Sequence, residues 1–175
     1  SINLTQGQRA PSIEELYSNG AHPATATFDI GNNTLKKETA RNVDLTLRNN
    51  GKHFSWKLNL FTNRIADYVF AKNVDSNMDG IADRVNDAGT LESDGAFLLQ
   101  ETAQAAARFV GAEAEIAYRA GEQGPGVRLF ADSVRAKLSG GGNLPLISPA
   151  RVGVELDYLR EKWNGNLTLI HGLKQ

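Results

Sequence analysis

The sequence of 175 residues contains no cysteine and no long apolar run. Without cysteine, the chain has neither a disulfide framework nor a thiolate metal site. No stretch of about 18 apolar residues occurs, which excludes a transmembrane helix. The first residues, SINLTQGQRAP, have neither the charged nor the apolar region of a signal peptide. If the parent protein is exported, we expect its true start to lie further upstream.

The chain also has no excess of charge of either sign, with 19 lysine and arginine residues against 20 aspartate and glutamate residues. Proteins that bind nucleic acid present a basic surface to phosphate, so this balance predicts no nucleic-acid partner. The mildly polar composition would suit a soluble protein. It would equally suit a transmembrane β-barrel, whose strands alternate apolar and polar residues.

Alternation of apolar and polar residues, in segments of about ten, is the strongest pattern in the sequence. In the first long segment, Val43, Leu45 and Leu47 share one face of a strand. Such patterns predict seven strands, at Ile2–Thr5, Arg41–Asn49, Phe54–Ala71 (with a bulge after Thr62), Val110–Tyr118, Val127–Leu138, Arg151–Tyr158 and Leu167–Leu173. The sequence therefore predicts an all-β fold, an antiparallel meander of about seven strands.

The connections between these strands alternate in length. Short turns are predicted near Asn50, near Gln123 and at Trp163-Asn164-Gly165. Longer loops cover 9–38, 73–104 and 139–148. Long extracellular loops and short periplasmic turns are typical of an outer-membrane barrel. A soluble antiparallel sheet with one face exposed to water shows the same alternation. The pattern alone therefore favours neither the membrane barrel nor the soluble sheet.

Five motifs, in order along the chain, resemble those of TonB-dependent outer-membrane receptors. They are RAPSIEELY at 9–17, IGN with LKKET at 30–39, FTNRIADYV at 61–69, FVGAEAE at 109–115 and NLPLISPAR at 143–151. Lys37 stands where the family usually has proline. The resemblance implies a 22-stranded transmembrane barrel filled by an N-terminal plug that contacts TonB.

Residues 1–175 resemble part of the C-terminal half of such a barrel, with no plug domain and no complete barrel. A sheet of seven strands cannot close alone, and its edges would be open in lipid. The resemblance therefore implies three partners: outer-membrane lipid, the missing plug with the remaining barrel strands, and TonB acting through the plug. The bacterial outer membrane is the implied location.

The loop NGAHPATATF at 19–28 resembles the branch of the family that contains the zinc-uptake receptor ZnuD. RVNDAG at 84–89, DG at 94–95 and LLQ at 98–100 resemble the same branch. This implies uptake of a scarce metal or metal chelate, with Zn²⁺ as the transported substrate and His22 as a contact on the substrate side. Haem and siderophore receptors share much of this barrel, so those cargoes stay open. An exposed loop histidine without a ligand is an equally good interpretation of His22.

The sharpest local motif is DSNMDGIAD at 75–83, which has the ligand spacing of a calcium loop. The predicted oxygen ligands are the side chains of Asp75, Asn77, Asp79 and Asp83 and the carbonyl of Ile81. A polar hairpin tip uses the same residues for turn geometry, without an ion. If the chain is soluble, this loop indicates instead a calcium-binding, adhesin-like surface β-module.

No catalytic set is evident, and we do not expect an enzyme. Ser12, Ser18 and Ser148 lack the spacing to histidine and aspartate that nucleophilic catalysis requires. His53, beside a short turn, and His171, on a strand, suit structural or solvated roles. An outer-membrane barrel enzyme with a dispersed site is the third alternative, and hydrolase activity would favour it.

Overall fold

The computed structural model describes residues 1–140, 144 and 147–174. The chain forms two compact units. The first, here called the sheet unit, comprises Ser1–Gln6, Arg41–Arg64 and Ala107–Gln175. The second, here called the loop unit, comprises Gly7–Ala40 and Ile65–Ala106.

The described residues are almost entirely strands and connections. The elements are β1 (Ile2–Arg9), α1 (Ile13–Tyr17), β2 (Asn19–His22), β3 (Thr27–Ile30), β4 (Glu38–Asn50), β5 (Phe54–Asn73), β6 (Arg84–Val85), β7 (Phe97–Arg119), β8 (Gly124–Leu138), β9 (Arg151–Arg160) and β10 (Trp163–Gly172). Seven strands follow one another as β1-β4-β5-β7-β8-β9-β10. The predicted all-β antiparallel meander is therefore confirmed. Within the described ranges, no helix has the length and apolarity to cross a membrane.

Most of the strands are longer than the alternation predicts. β5 continues to Asn73, and Asp67 within it has a φ of 55°, a left-handed backbone that lies beyond the position after Thr62 at which a bulge was predicted. The predicted turn at Trp163-Asn164-Gly165 is wrong. Trp163 pairs with Arg160, and the turn consists of the two residues between them. Pairing of the backbone amides and carbonyls thus outweighs the local turn preference of asparagine and glycine.

One face of the sheet unit is apolar and stays open. Ile116 lies opposite Leu129, Leu129 opposite Val154, and Val154 opposite Leu169. Leu129 is 53% exposed and Leu169 is 59% exposed. Val43 of β4 and Leu156 of β9 are also exposed. No closed hydrophobic interior forms on this face among the described residues, as expected of a surface that meets hydrocarbon.

The opposite face of the sheet unit carries paired charges. Arg128 contacts both Glu115 and Glu155. Two further ion pairs link strands on this face, Arg119 of β7 with Asp157 of β9 and Arg151 of β9 with Asp132 of β8. The sheet unit therefore has one apolar face and one charged face, as the alternation of residues predicts.

The loop unit has ordered structure of its own. β2 and β3 form a hairpin, β3 runs parallel to β7, and β6 pairs with β7. Phe28, Val85 and Leu99, which are 5%, 0% and 9% exposed, form a small core. The loops predicted at 9–38 and 73–104 are thus partly folded. In the motif expected at 143–151, residues 143, 145 and 146 lie outside the described residues.

Candidate metal centre

The predicted calcium loop folds back on its first aspartate. Asp75 accepts hydrogen bonds from the backbone amides of Asp79 (3.2 Å) and Gly80 (2.9 Å). Met78 and Gly80 have φ values of 59° and 85°, so the chain turns tightly between them. The side chain of Asn77 makes two hydrogen bonds with Asp79. It accepts one from the Asp79 backbone amide and donates one to the Asp79 carboxylate. The structure therefore brings Asp75, Asn77 and Asp79 together.

The last two predicted calcium ligands are placed differently. Asp83 accepts hydrogen bonds from the amide (2.9 Å) and hydroxyl (2.7 Å) of Ser76. Ile81 donates its amide to Asp79 at 2.8 Å. In the part of the chain that the structure describes, no three His, Cys, Asp or Glu side chains gather into an array that would hold a metal. Calcium binding by this loop stays a prediction.

His22 ends strand β2 and lies beside an aspartate of the paired strand. Its Nε2 is 3.5 Å from Oδ2 of Asp29, and both side chains are partly exposed. The other carboxylate oxygen of Asp29 is buried and has no hydrogen-bond partner among the described residues. A neutral imidazole beside a carboxylate is a donor pair that zinc prefers, although a zinc site needs at least one further protein ligand.

Asp29 also lines a small acidic cavity of about 130 Å³ in the loop unit. Four carboxylates border it, those of Glu14, Glu15, Asp29 and Glu101. Two of them have cationic partners, because Glu15 contacts Arg9 and Glu101 contacts Lys72 at 3.4 Å. The cavity therefore combines negative charge with an unpaired carboxylate oxygen.

The other two histidines do not join His22. The Nδ1 atom of His53 is 3.0 Å from the carbonyl oxygen of Arg119. His171 lies opposite Val152 at the edge of the sheet. Both belong to the sheet unit, whereas His22 belongs to the loop unit. Within the described residues, His22 is the one of the three with a carboxylate oxygen nearby, at 3.5 Å.

A cluster that the sequence does not predict ties the loop unit together. Ser12 and Glu15 form a capping box at the start of α1. Arg9 donates two hydrogen bonds to Glu15 (2.9 and 3.0 Å) and one to Glu38 (2.7 Å). Glu38, which is 9% exposed, also accepts the amide of Val69 at 2.6 Å. We call Arg9, Glu15 and Glu38 the arginine clamp.

The clamp carboxyls ionise more easily than free ones. Burial opposes ionisation of Glu38, but its hydrogen bonds from Arg9 and the Val69 amide prevail and lower its pKa. The hydrogen bonds from Arg9 likewise lower the pKa of Glu15, against a smaller effect of burial. The Ser12-x-x-Glu15 spacing was a signal for the capping box. Nothing in the sequence connects Arg9 to Glu38, 29 positions away.

Comparison with known proteins agrees with this architecture. The family model for the TonB-dependent receptor-like β-barrel matches residues 1–173. The solved structure of the copper transporter OprC has the same fold, with a TM-score of 0.68 at 17% identity over 94% of this chain. The chain spans 23% of the length of that protein. Because the family model covers nearly all of its residues, this chain belongs to the TonB-dependent receptor β-barrel family.

Proposed function

We propose that this chain is part of an outer-membrane receptor, not an enzyme, that takes up a scarce metal or metal chelate. Zinc is the favoured cargo, with haem and siderophores as the other candidates. The family match over residues 1–173 carries the proposal. A complete 22-stranded barrel, the plug and TonB, which acts through the plug, belong to the same proposal.

The two faces of the sheet unit support a place in the membrane. No aspartate or glutamate stands on the apolar face of the described strands of this unit. Aromatic side chains cluster on this face near the short turns; they are Phe54, Trp56, Tyr118, Tyr158 and Trp163. Such aromatic girdles mark the membrane–water interface of transmembrane barrels. The opposite face, with its ion pairs, suits a hydrated pore.

The position of His22 supports zinc as the cargo. The loop that contains it resembles the zinc-uptake branch, and its imidazole lies 3.5 Å from a carboxylate oxygen of Asp29. The unpaired oxygen of Asp29 and the acidic cavity supply further negative charge for a divalent cation. The proposed role is capture of the ion at the loops, with the remaining ligands supplied by other parts of the receptor.

Replacing His22 with alanine is expected to weaken Zn²⁺ binding to the intact receptor by about tenfold or more, because it removes the nitrogen ligand of the pair. The measurement is competition for Zn²⁺ against a fluorescent chelator. His53→Ala is the matched control, since His53 contacts a backbone carbonyl in the sheet unit. Unchanged affinity in His22→Ala would remove this residue from the zinc site. Absence of zinc binding in the unmodified receptor would point to another cargo.

The second candidate function is a calcium-binding surface β-module that uses the loop from Asp75 to Asp83. The observation in its favour is the fold of the loop around Asp75, which accepts hydrogen bonds from the amides of Asp79 and Gly80 and so brings predicted ligands together. Detergent dependence separates the two candidates. A membrane-embedded apolar face needs detergent to stay monodisperse, whereas a surface module stays soluble without it.

Calcium titration of the receptor by calorimetry is expected to give a dissociation constant of about 0.1–1 mM, the range of extracellular calcium modules. Asp79→Ala removes a predicted ligand and is expected to abolish the binding heat. Asp87→Asn is the control, since Asp87 is an exposed neighbour outside the predicted ligand set. Equal heats from Asp79→Ala and the unmodified protein would mean that the loop is a polar hairpin tip.

A further inference from the structure

Five cations lie on the apolar side of the sheet unit, on the parts of β4, β5, β7 and β8 within this unit that are remote from the short turns. They are Arg41, Arg64, Arg108, Arg135 and Lys137, all exposed, and we call them the cationic row. In the register of β7 and β8, Arg108 lies directly opposite Lys137, and Arg135 lies opposite Val110 of the apolar face. By alternation, Arg41 shares a face with Val43, and Arg64 shares a face with Leu60.

The cationic row has no counter-charge in the part of the chain that the structure describes. Within the described residues, none of its members contacts an aspartate or glutamate, and Arg41 donates to the neutral side chain of Gln6 at 3.0 Å. On the opposite face, Arg119, Arg128 and Arg151 each contact a carboxylate. Among the described residues, the structure therefore places paired charges on one face of the sheet unit and cations without a carboxylate partner at the rim of the other.

An apolar groove leads up to this row. It has a volume of about 520 Å³, and its lining includes Val43, Leu45, Leu60, Val110 and Ala112, with Arg135 beside them. A ligand that fills both features has an apolar chain and an anionic head. Arginine donates paired hydrogen bonds to phosphate oxygens, and cations on strands about 4.8 Å apart can share one phosphate group.

We propose that the cationic row binds the phosphate group of an anionic lipid whose acyl chain lies in the groove. This inference rests on the proposed membrane placement of the sheet. It adds a selective lipid site to the general contact of a barrel with hydrocarbon. The groove favours a lipid over free phosphate, because phosphate alone would leave the apolar lining uncovered.

The test is native mass spectrometry of the intact receptor in neutral detergent, with added phosphatidylglycerol or phosphatidylcholine. We expect more phosphatidylglycerol adducts, and about tenfold weaker phosphatidylglycerol binding in the double variant Arg108→Gln/Arg135→Gln. The matched control is Arg48→Gln/Lys57→Gln, which removes two exposed cations from the opposite face of the sheet unit. Heat-dependent electrophoretic mobility checks that each variant is folded.

Equal binding of the two lipids, or an equal loss in the control variant, would overturn the proposal. Competition by inorganic phosphate at the lipid's own concentration would also overturn it, because the site would then recognise phosphate alone. A receptor that stays monodisperse without detergent would instead contradict the membrane placement. Failure of the lipid site is thus distinguishable from failure of the membrane placement.

Discussion

Replacing Gly31 with alanine is expected to destabilise the loop unit by about 3 kcal/mol, a large effect for one methyl group. The new Cβ would lie 2.5 Å from the amide nitrogen of Tyr17 and 2.7 Å from that of Ser18. These are backbone atoms at the end of α1, so no side-chain rotation relieves the overlap. The change would also disturb the hydrogen bond from the Gly31 amide to the carbonyl of Ser18, 2.7 Å long.

Hydrogen exchange of the intact receptor measures this effect. Amides of Gly7–Ala40 are expected to exchange more than about 100-fold faster in Gly31→Ala, in line with the lost free energy. Gly20→Ala is the matched control, because a Cβ at Gly20 meets nothing within 4 Å. Equal protection in both variants would mean that α1 shifts without cost and that the close approach at Gly31 is unimportant.

Replacing Arg9 with alanine is expected to cost the loop unit about 2 kcal/mol. The substitution leaves Glu38 buried with its hydrogen bond from the Val69 amide but without a cation, and it removes both bonds to Glu15. The exposure of Arg9, 48% for its side chain, keeps the expected cost below that of a fully buried pair. Hydrogen exchange near α1 is expected to accelerate about 30-fold.

Acid should weaken the same contacts in the unmodified receptor. The folded pKa of Glu38 lies below its ordinary value of 4.5, so its contribution to stability is present above that pH and is lost as the pH falls through the lowered value. In Arg9→Ala this acid-dependent loss should largely disappear. Glu14→Gln, on an exposed neighbour, is the control and should behave as the unmodified protein. An acid profile unchanged by Arg9→Ala would show that the clamp does not stabilise the loop unit.

The alternation of residues such as Val43, Leu45 and Leu47 predicted the strands and their order. It did so because successive side chains of a strand point to opposite faces. In a strand with one apolar and one solvated face, apolar and polar residues therefore alternate. The turn expected at Trp163 was wrong for a related reason, since pairing across two strands decides where a hairpin ends. The ordered interior of the long loops was also missed, because Phe28, Val85 and Leu99 are far apart in sequence and show no shared period.

In the candidate sites, too, the sequence predicted contacts within one short segment and missed contacts between separate segments. The spacing within Asp75–Asp83 brought three of the five predicted ligands together, since ligands two residues apart share one tight turn. The partner of His22, Asp29, lies across a hairpin, and the link from Arg9 to Glu38 joins separate segments. Local spacing does not encode such contacts.

By itself, the sequence determined the all-β meander, the two faces of its strands and the resemblance to the receptor family, because these depend on local alternation and short motifs. Only the tertiary structure decided which charges have partners. Among the described residues, it pairs Arg128 with Glu115 and Glu155 on one face and gives Arg108 and Arg135 no carboxylate partner at the rim of the other. The reason is physical: an ion pair depends on the register between strands, which hydrogen bonding across the sheet sets.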